Sequence, residues 1–285
     1  MIPAPSGTFE LAGGRRLAYD DIGDPAGRPI VYLHGCPGSR LSRHPDDSVA
    51  AGAGLRLIAV DRPGYGSSNA DPSSDPASCA DDVIALADGL GLGRFAVLAW
   101  SSGGATALAL AVRHPERVVA VGVAAGQPAM ITDRGDLSAD DFARMAAPFV
   151  AESGVTVETA MEATTEGVDA ASLSDLASVE GLHEQLALSL ATAVEHGLAG
   201  VEGDLRAMVT PWSFELASIS TPVTLWYGTD DTVYGPSIGQ HLADSIPNAR
   251  LEILEGATHL LPMTNWSQLL DFLAQQLEME EHSCR

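Results

Sequence analysis

Along most of the chain, short apolar runs alternate with longer stretches of helical spacing, which predicts a mostly parallel sheet wrapped by helices. The start reads as a hairpin, Thr8–Leu11 and Arg16–Tyr19 around a turn at Ala12-Gly13-Gly14. Pro29–Leu33, Leu55–Val60, Phe95–Leu98 and Val118–Ala124 follow as strands. Between them, Asp81–Leu90 carries Val83, Leu86, Ala87 and Leu90 on one helical face, and Ser102–Arg113 reads as a second helix. From about Met130 to Ser218 the rhythm changes: Ala/Glu/Leu-rich amphipathic stretches broken by glycine, such as Ser138–Ser153 and Leu182–His196, replace the strands. The alternation then resumes with strand Val223–Tyr227, helix Ser237–Ser245, strand Arg250–Leu254 and helix Trp266–Met279. The expected organisation is a core of residues 1–129 and 219–285, interrupted once by a helical cap over 130–218 that roofs the carboxyl ends of the strands.

Composition narrows the partners. With 285 residues and 46% hydrophobic positions, the chain has material for one large core. The 15 basic residues, all arginine, face 38 acidic ones, a net charge of −23 that repels nucleic acid and anionic membranes. Cys36, Cys79 and Cys284 form no C-x-x-C pair and cannot all pair with one another, which fits a reducing cytoplasm. Met1–Thr8 has neither the charge nor the apolar run of a secretion signal, and no stretch is long and apolar enough for a membrane helix. Neither a His-Glu-x-x-His pair, a zinc-type cysteine spacing nor a phosphate-cradling Gly-Lys-Ser/Thr loop occurs, so no metal or cofactor is expected. The expected partner is a small molecule.

Three loops carry the candidate chemistry. Ala99-Trp100-Ser101-Ser102-Gly103-Gly104 joins a strand to a helix. A nucleophile at such a sharp turn needs small residues two positions before and after it. Ser101 has Ala99 and Gly103 there, whereas Ser102 would have Trp100. The turn also sets Ser101 at a helix N-terminus, where free amides can receive an oxyanion. His34-Gly35-Cys36-Pro37-Gly38 follows another strand, and its glycines let an amide face the reaction centre; the Cys36 and Ser102 amides are the candidate oxyanion hole. His34 reads as a residue that fixes its loop rather than as a base. Asp61-Arg62-Pro63-Gly64-Tyr65-Gly66-Ser67-Ser68 reads as a structural corner with Arg62 paired internally.

In this order, the three motifs resemble the α/β-hydrolase superfamily, and the likeness runs from roughly Thr8 to Leu277. The resemblance implies an eight-stranded, mostly parallel sheet with helices on both faces, an inserted cap, and a triad in the chain order nucleophile, acid, base. In the loop after Val223–Tyr227, the superfamily's Gly-x-x-Asp spacing selects Asp231, with Asp230 as the adjacent competitor. His259, in Gly256-Ala257-Thr258-His259 after the last strand, is the candidate base. The expected reaction is hydrolysis of a carboxylic ester or lactone through an acyl-enzyme on Ser101. Lactone, amide or C–C bond hydrolysis and perhydrolysis would use the same triad, and a ligand receptor on this fold would leave it idle. Trp100, Trp212, Phe214, Leu260 and Met263 are candidates for an apolar substrate pocket, which favours a neutral, moderately apolar substrate.

Overall fold

A computed structural model of the chain describes residues 2–127, 156–166 and 168–283. The alternation of strand and helix builds a single eight-stranded sheet. Its strands are β1 (Gly7–Glu10), β2 (Arg16–Gly23), β3 (Arg28–Leu33), β4 (Leu55–Val60), β5 (Phe95–Trp100), β6 (Val118–Ala124), β7 (Val223–Gly228) and β8 (Ala249–Leu254), in the spatial order β1-β2-β4-β3-β5-β6-β7-β8. β2 runs antiparallel to both β1 and β4, and every pair from β4 to β8 is parallel. β2 extends past the expected Tyr19 to Gly23. Its acidic end is neutralised within the fold: Asp20 pairs with Arg40 and Arg43, and Asp21 with Arg56.

Helices cover both faces, and the period-two alternation of the strands decides which side chain meets which layer. On one face Phe95, Val97 and Ala99 of β5 join Val31, Leu33, Leu225 and Tyr227 beneath α2 (Pro76–Gly89), α3 (Gly103–Arg113) and α8 (Pro236–Ser245). On the other, Ala96 and Leu98 join Ile30, Tyr32 and Trp226 beneath α1 (Ser48–Gly52) and α10 (Trp266–Ser283). α2 begins at Pro76, a turn earlier than its apolar spacing suggests. Asp75 caps the Ser78 amide, Ser78 reciprocates, and Pro76 stands in the first helical turn, where its missing N–H costs nothing.

Between β6 and β7 the described residues form α4 (Val157–Ala163), α5 (Ala170–Ser178), α6 (Leu182–Ala193) and α7 (Ala199–Val209), and no strand. The expected helix Ser138–Ser153 lies outside the described residues. Leu176, Leu182 and Leu186 of this layer pack on Met263 of the short helix α9 (Leu261–Thr264), so the layer sits against the loop that carries His259. No helix among the described residues is long and apolar enough to cross a membrane.

Candidate active site

β5 delivers Ser101 to the carboxyl edge of the sheet. Its backbone turns at φ 54°, a left-handed conformation rare for a residue with a side chain and worth roughly 1–3 kcal/mol of strain. Neighbouring bonds hold the turn: the Ser101 amide donates to the Ala124 carbonyl at 2.9 Å, and the Gly104 amide to the Ser101 carbonyl at 3.0 Å. Gly103 is required because a Cβ there would stand 2.4 Å from the Leu33 carbonyl oxygen, where α3 presses on the end of β3.

The loops after β7 and β8 bring Asp231 and His259 together. His259 Nδ1 donates to Asp231 Oδ2 at 2.9 Å, and Asp231 Oδ1 accepts from the Val233 and Tyr234 amides at 2.8 Å each. The Asp231 side chain is fully buried, and its two oxygens are committed to these partners. Asp230, the adjacent competitor, is exposed and accepts only from the Thr229 hydroxyl among the described residues. Around His259, the Trp100 indole donates to its carbonyl at 2.9 Å, and the Trp100 and Tyr234 rings each lie 5.7 Å from the imidazole. Ser101 and His259 line the same cavity of about 410 Å³. The loop after β3 closes beside the serine, since a Cβ on Gly35 would come within 3.0 Å of Ser101 Cβ. Among the described residues neither the Cys36 nor the Ser102 amide donates to a protein acceptor.

The walls of the cavity are mainly apolar, with Trp100 and Leu260 joined by Leu176, Leu186, Leu190 and Val233. Three of the expected pocket residues stand outside the described lining of this cavity. Met263 is buried one layer behind the wall, against Leu176, Leu182 and Leu186. Trp212 and Phe214 stack on each other at 5.3 Å and seal the core cluster under α2 and α3. Two bonds tie their segment there: the Ser213 hydroxyl donates to Asp75 at the start of α2, and the Trp212 indole donates to the Ala207 carbonyl.

A family model described as the alpha/beta hydrolase fold matches residues 28–265. The chain belongs to the α/β-hydrolase family. The enzyme is 30% identical over 267 residues to a pimeloyl-[acyl-carrier protein] methyl ester esterase of Chromobacterium violaceum, covering 89% of this chain and 96% of that one. It is 25% identical over 264 residues to a 2-hydroxy-6-oxononadienedioate/2-hydroxy-6-oxononatrienedioate hydrolase of Burkholderia vietnamiensis, covering 86% and 84%. The crystal structure of a bromoperoxidase from Bacillus anthracis superposes with a TM-score of 0.76 at 20% identity, over 95% of this chain and 99% of that one, a likeness of fold.

Behind the cavity, the hydrolase buries a polar cluster of which sequence reasoning identified only one half. Arg62 has a partner, Asp204 of α7, at 2.5 and 2.6 Å through its two terminal nitrogens. The Tyr65 hydroxyl donates to the same carboxylate at 2.6 Å, and the Ser102 hydroxyl at 3.0 Å. Burial alone would push the Asp204 carboxyl up, but the Arg62 charge and these donors hold it below the ordinary carboxylate range. His34 is a loop-fixing residue: burial, then the Arg62 charge, lower its pKa to about 3. The neutral ring therefore donates from Nδ1 to the Gly35 carbonyl at 2.7 Å and accepts the Arg62 amide at Nε2. The Cys36 thiol packs against Tyr65, Ala193 and Val201, and burial raises its pKa. Asp204 lies outside any motif; the only signal that pointed to it was an arginine at a buried corner in need of a counter-charge.

Proposed function

We propose that the enzyme is a serine hydrolase that cleaves a neutral, moderately apolar carboxylic ester or lactone through an acyl-enzyme on Ser101. The observation that carries this reading is the Asp231–His259 pair facing the same cavity as a serine held in a left-handed strand-to-helix turn. With Nδ1–H committed to Asp231, His259 keeps Nε2 free to accept a proton. Ser101 Oγ attacks the carbonyl carbon as its proton passes to His259. The carbonyl oxygen gathers the charge, and the Cys36 and Ser102 amides stabilise it, a single donor of this kind being worth about 3–4 kcal/mol. Collapse breaks the acyl–oxygen bond, and His259 returns the proton to the leaving alcohol. Water, deprotonated by His259, then releases the acid and restores Ser101.

The cavity supports a neutral substrate. Its described lining residues include no arginine, and Asp169 adds a carboxylate whose pKa is lowered by bonds from the Ser172 amide and hydroxyl. A dianion of the kind in the name of the Burkholderia relative would meet no arginine among the described lining residues. The test is intact-protein mass spectrometry after treatment with a small fluorophosphonate, on wild type and Ser101→Ala, followed by a panel pairing neutral esters and lactones with carboxylate-bearing analogues. One adduct on wild type, none on the variant, and turnover confined to the neutral members are expected. An unlabelled, well-folded wild type would overturn the Ser101 mechanism, and faster turnover of the anionic members would overturn the substrate class.

A further inference from the structure

Arg62 touches both loops whose amides are assigned above to the oxyanion. On the loop after β3, its Nε donates to the His34 carbonyl at 3.1 Å, and Nη2 to the Gly35 carbonyl at 3.3 Å. On the nucleophile turn, Nη2 donates to the Ser102 hydroxyl at 3.0 Å. The Gly35 carbonyl and the Cys36 amide belong to one planar peptide unit, with C=O and N–H pointing in opposite directions. Fixing the Gly35 oxygen from one side therefore aims the Cys36 N–H to the other. Ser102 is held through its side chain instead: its hydroxyl accepts from Arg62 and donates to Asp204, which anchors the residue that carries the second amide.

The guanidinium can occupy this buried position only with a counter-charge, because a carbonyl or hydroxyl does not offset the cost of desolvating an ion. Asp204 provides it, and Asp204 comes from the helical layer rather than from the sheet. Its delivery is rigid. One helical turn earlier, the Gly200 amide donates to the Gly64 carbonyl at 3.2 Å, and a Cβ on Gly64 would stand 2.5 Å from the Gly200 nitrogen, so α7 lies directly on the backbone of the 62–66 corner. We propose that Asp204 is a positioning residue for the oxyanion hole: seating α7 places the carboxylate that holds Arg62 across the two loops and aligns their amides. The proposal rests on the Ser101 reading above. It makes the helical layer part of the catalytic geometry as well as a wall of the cavity.

Loss of Asp204 then weakens binding of the tetrahedral anion more than binding of the substrate. The experiment compares wild type, Asp204→Asn, Ser102→Ala and, as a control ion pair remote from the cavity, Asp82→Asn, which breaks the contact with Arg15. Active sites are titrated with fluorophosphonate, so that unfolded protein does not count. Steady-state kinetics on a p-nitrophenyl ester are measured beside inhibition by a phenylboronic acid, which forms a tetrahedral anion on a reactive serine. For Asp204→Asn, kcat per titrated site falls roughly ten- to a hundredfold, KM stays within about twofold, and boronate affinity falls in step with kcat. Asp82→Asn changes neither. Should Asp204→Asn fail to fold, Ser102→Ala carries the test: it keeps the amide, removes only the hydroxyl link, and lowers kcat several-fold at constant KM. Unchanged kcat per titrated site and unchanged boronate affinity in the folded variants would overturn the proposal, whatever happens to Tm. An unlabelled wild type would instead remove the Ser101 reading and this proposal with it.

Discussion

Arg40 and Arg62 are both buried and both rest on aspartate, yet they hold different parts of the molecule. Arg40 donates to Asp61 from its amide at 2.7 Å and from Nη1 at 2.9 Å, and to Asp20 from Nε at 3.1 Å. Arg43 adds a second bond to Asp20. All of these residues precede β5 and stitch β2, the loop after β3 and the loop after β4 to one another. Arg62 is the next residue after Asp61, but its counter-ion lies 142 positions away, in α7. The same chemistry thus serves the scaffold in one case and joins an inserted helix to the candidate site in the other. Breaking the first should cost stability alone; breaking the second should also cost turnover.

The largest expected effect sets the scale for that contrast. Ser101→Ala should lower kcat on the order of 10⁶-fold, read as ester turnover against the uncatalysed rate. Any measured loss in an Arg62-cluster variant is a fraction of this range. Next comes Asp231, a third buried carboxylate and the one paired with His259. Asp231→Asn should cost about 10⁴-fold in kcat, because an amide cannot hold the imidazole in its productive tautomer. Asp230→Asn, on the exposed neighbour, should stay within about twofold of wild type. Parallel kinetics on the two variants check the assignment, and an inactive Asp230→Asn beside an active Asp231→Asn would reverse it.

Smaller in rate, but decisive for the comparison, is Arg40→Met. It leaves Asp61 and Asp20 short of their main cation in a site closed to water, and should lower unfolding free energy by about 3–5 kcal/mol in urea titrations. Its kcat per fluorophosphonate-titrated site should match wild type. If Arg40→Met lowers turnover per site as far as Asp204→Asn, the two clusters do the same job and the distinction fails.

How much of this the sequence discloses depends on whether the partners are close along the chain. The Ser101 turn is legible because its steric demands fall on Ala99, Gly103 and Gly104, within a few residues of Ser101. The parallel core is legible because Val31/Leu33 and Ile30/Tyr32 alternate onto opposite faces. Asp231 needs more: the spacing from Gly228 singles it out only once a resemblance says where an acid is required. The Arg62 cluster is half legible, since a corner arginine signals a need for charge but not which of 38 acidic residues answers it. The positions of Trp212, Phe214 and Met263 outside the described lining are illegible for the same reason. Aromatic and apolar side chains near the site look alike in sequence whether they line a cavity or seal the core behind it, and a contact such as the Ser213–Asp75 bond spans 138 positions.

The smallest expected effect is one of pH, and it also divides the two clusters. His34 touches Arg62 but not Arg40, and no histidine bonds to the Arg40 cluster among the described residues. Its pKa falls from the ordinary 6.5 to about 3 in the folded protein, through burial first and the Arg62 charge second. Between those two values the unfolded chain takes up a proton that the folded chain refuses. Stability from this group is therefore complete above about pH 6.5 and declines as the pH is lowered, by up to about 1.4 kcal/mol per unit. From pH 6.5 to 5 the loss amounts to about 1.7 kcal/mol, before most carboxylates begin to titrate. Protonation would also turn Nε2 into a donor facing the Arg62 amide, so the corner that carries Arg62 gives way first. Urea midpoints at pH 6.5, 5.75 and 5 should fall steeply for wild type and less steeply for His34→Asn, whose amide can keep the bond to the Gly35 carbonyl without titrating. Equal slopes in the two proteins would mean that the acid sensitivity resides elsewhere, and that the Arg62 corner is no more fragile toward acid than its Arg40 neighbour.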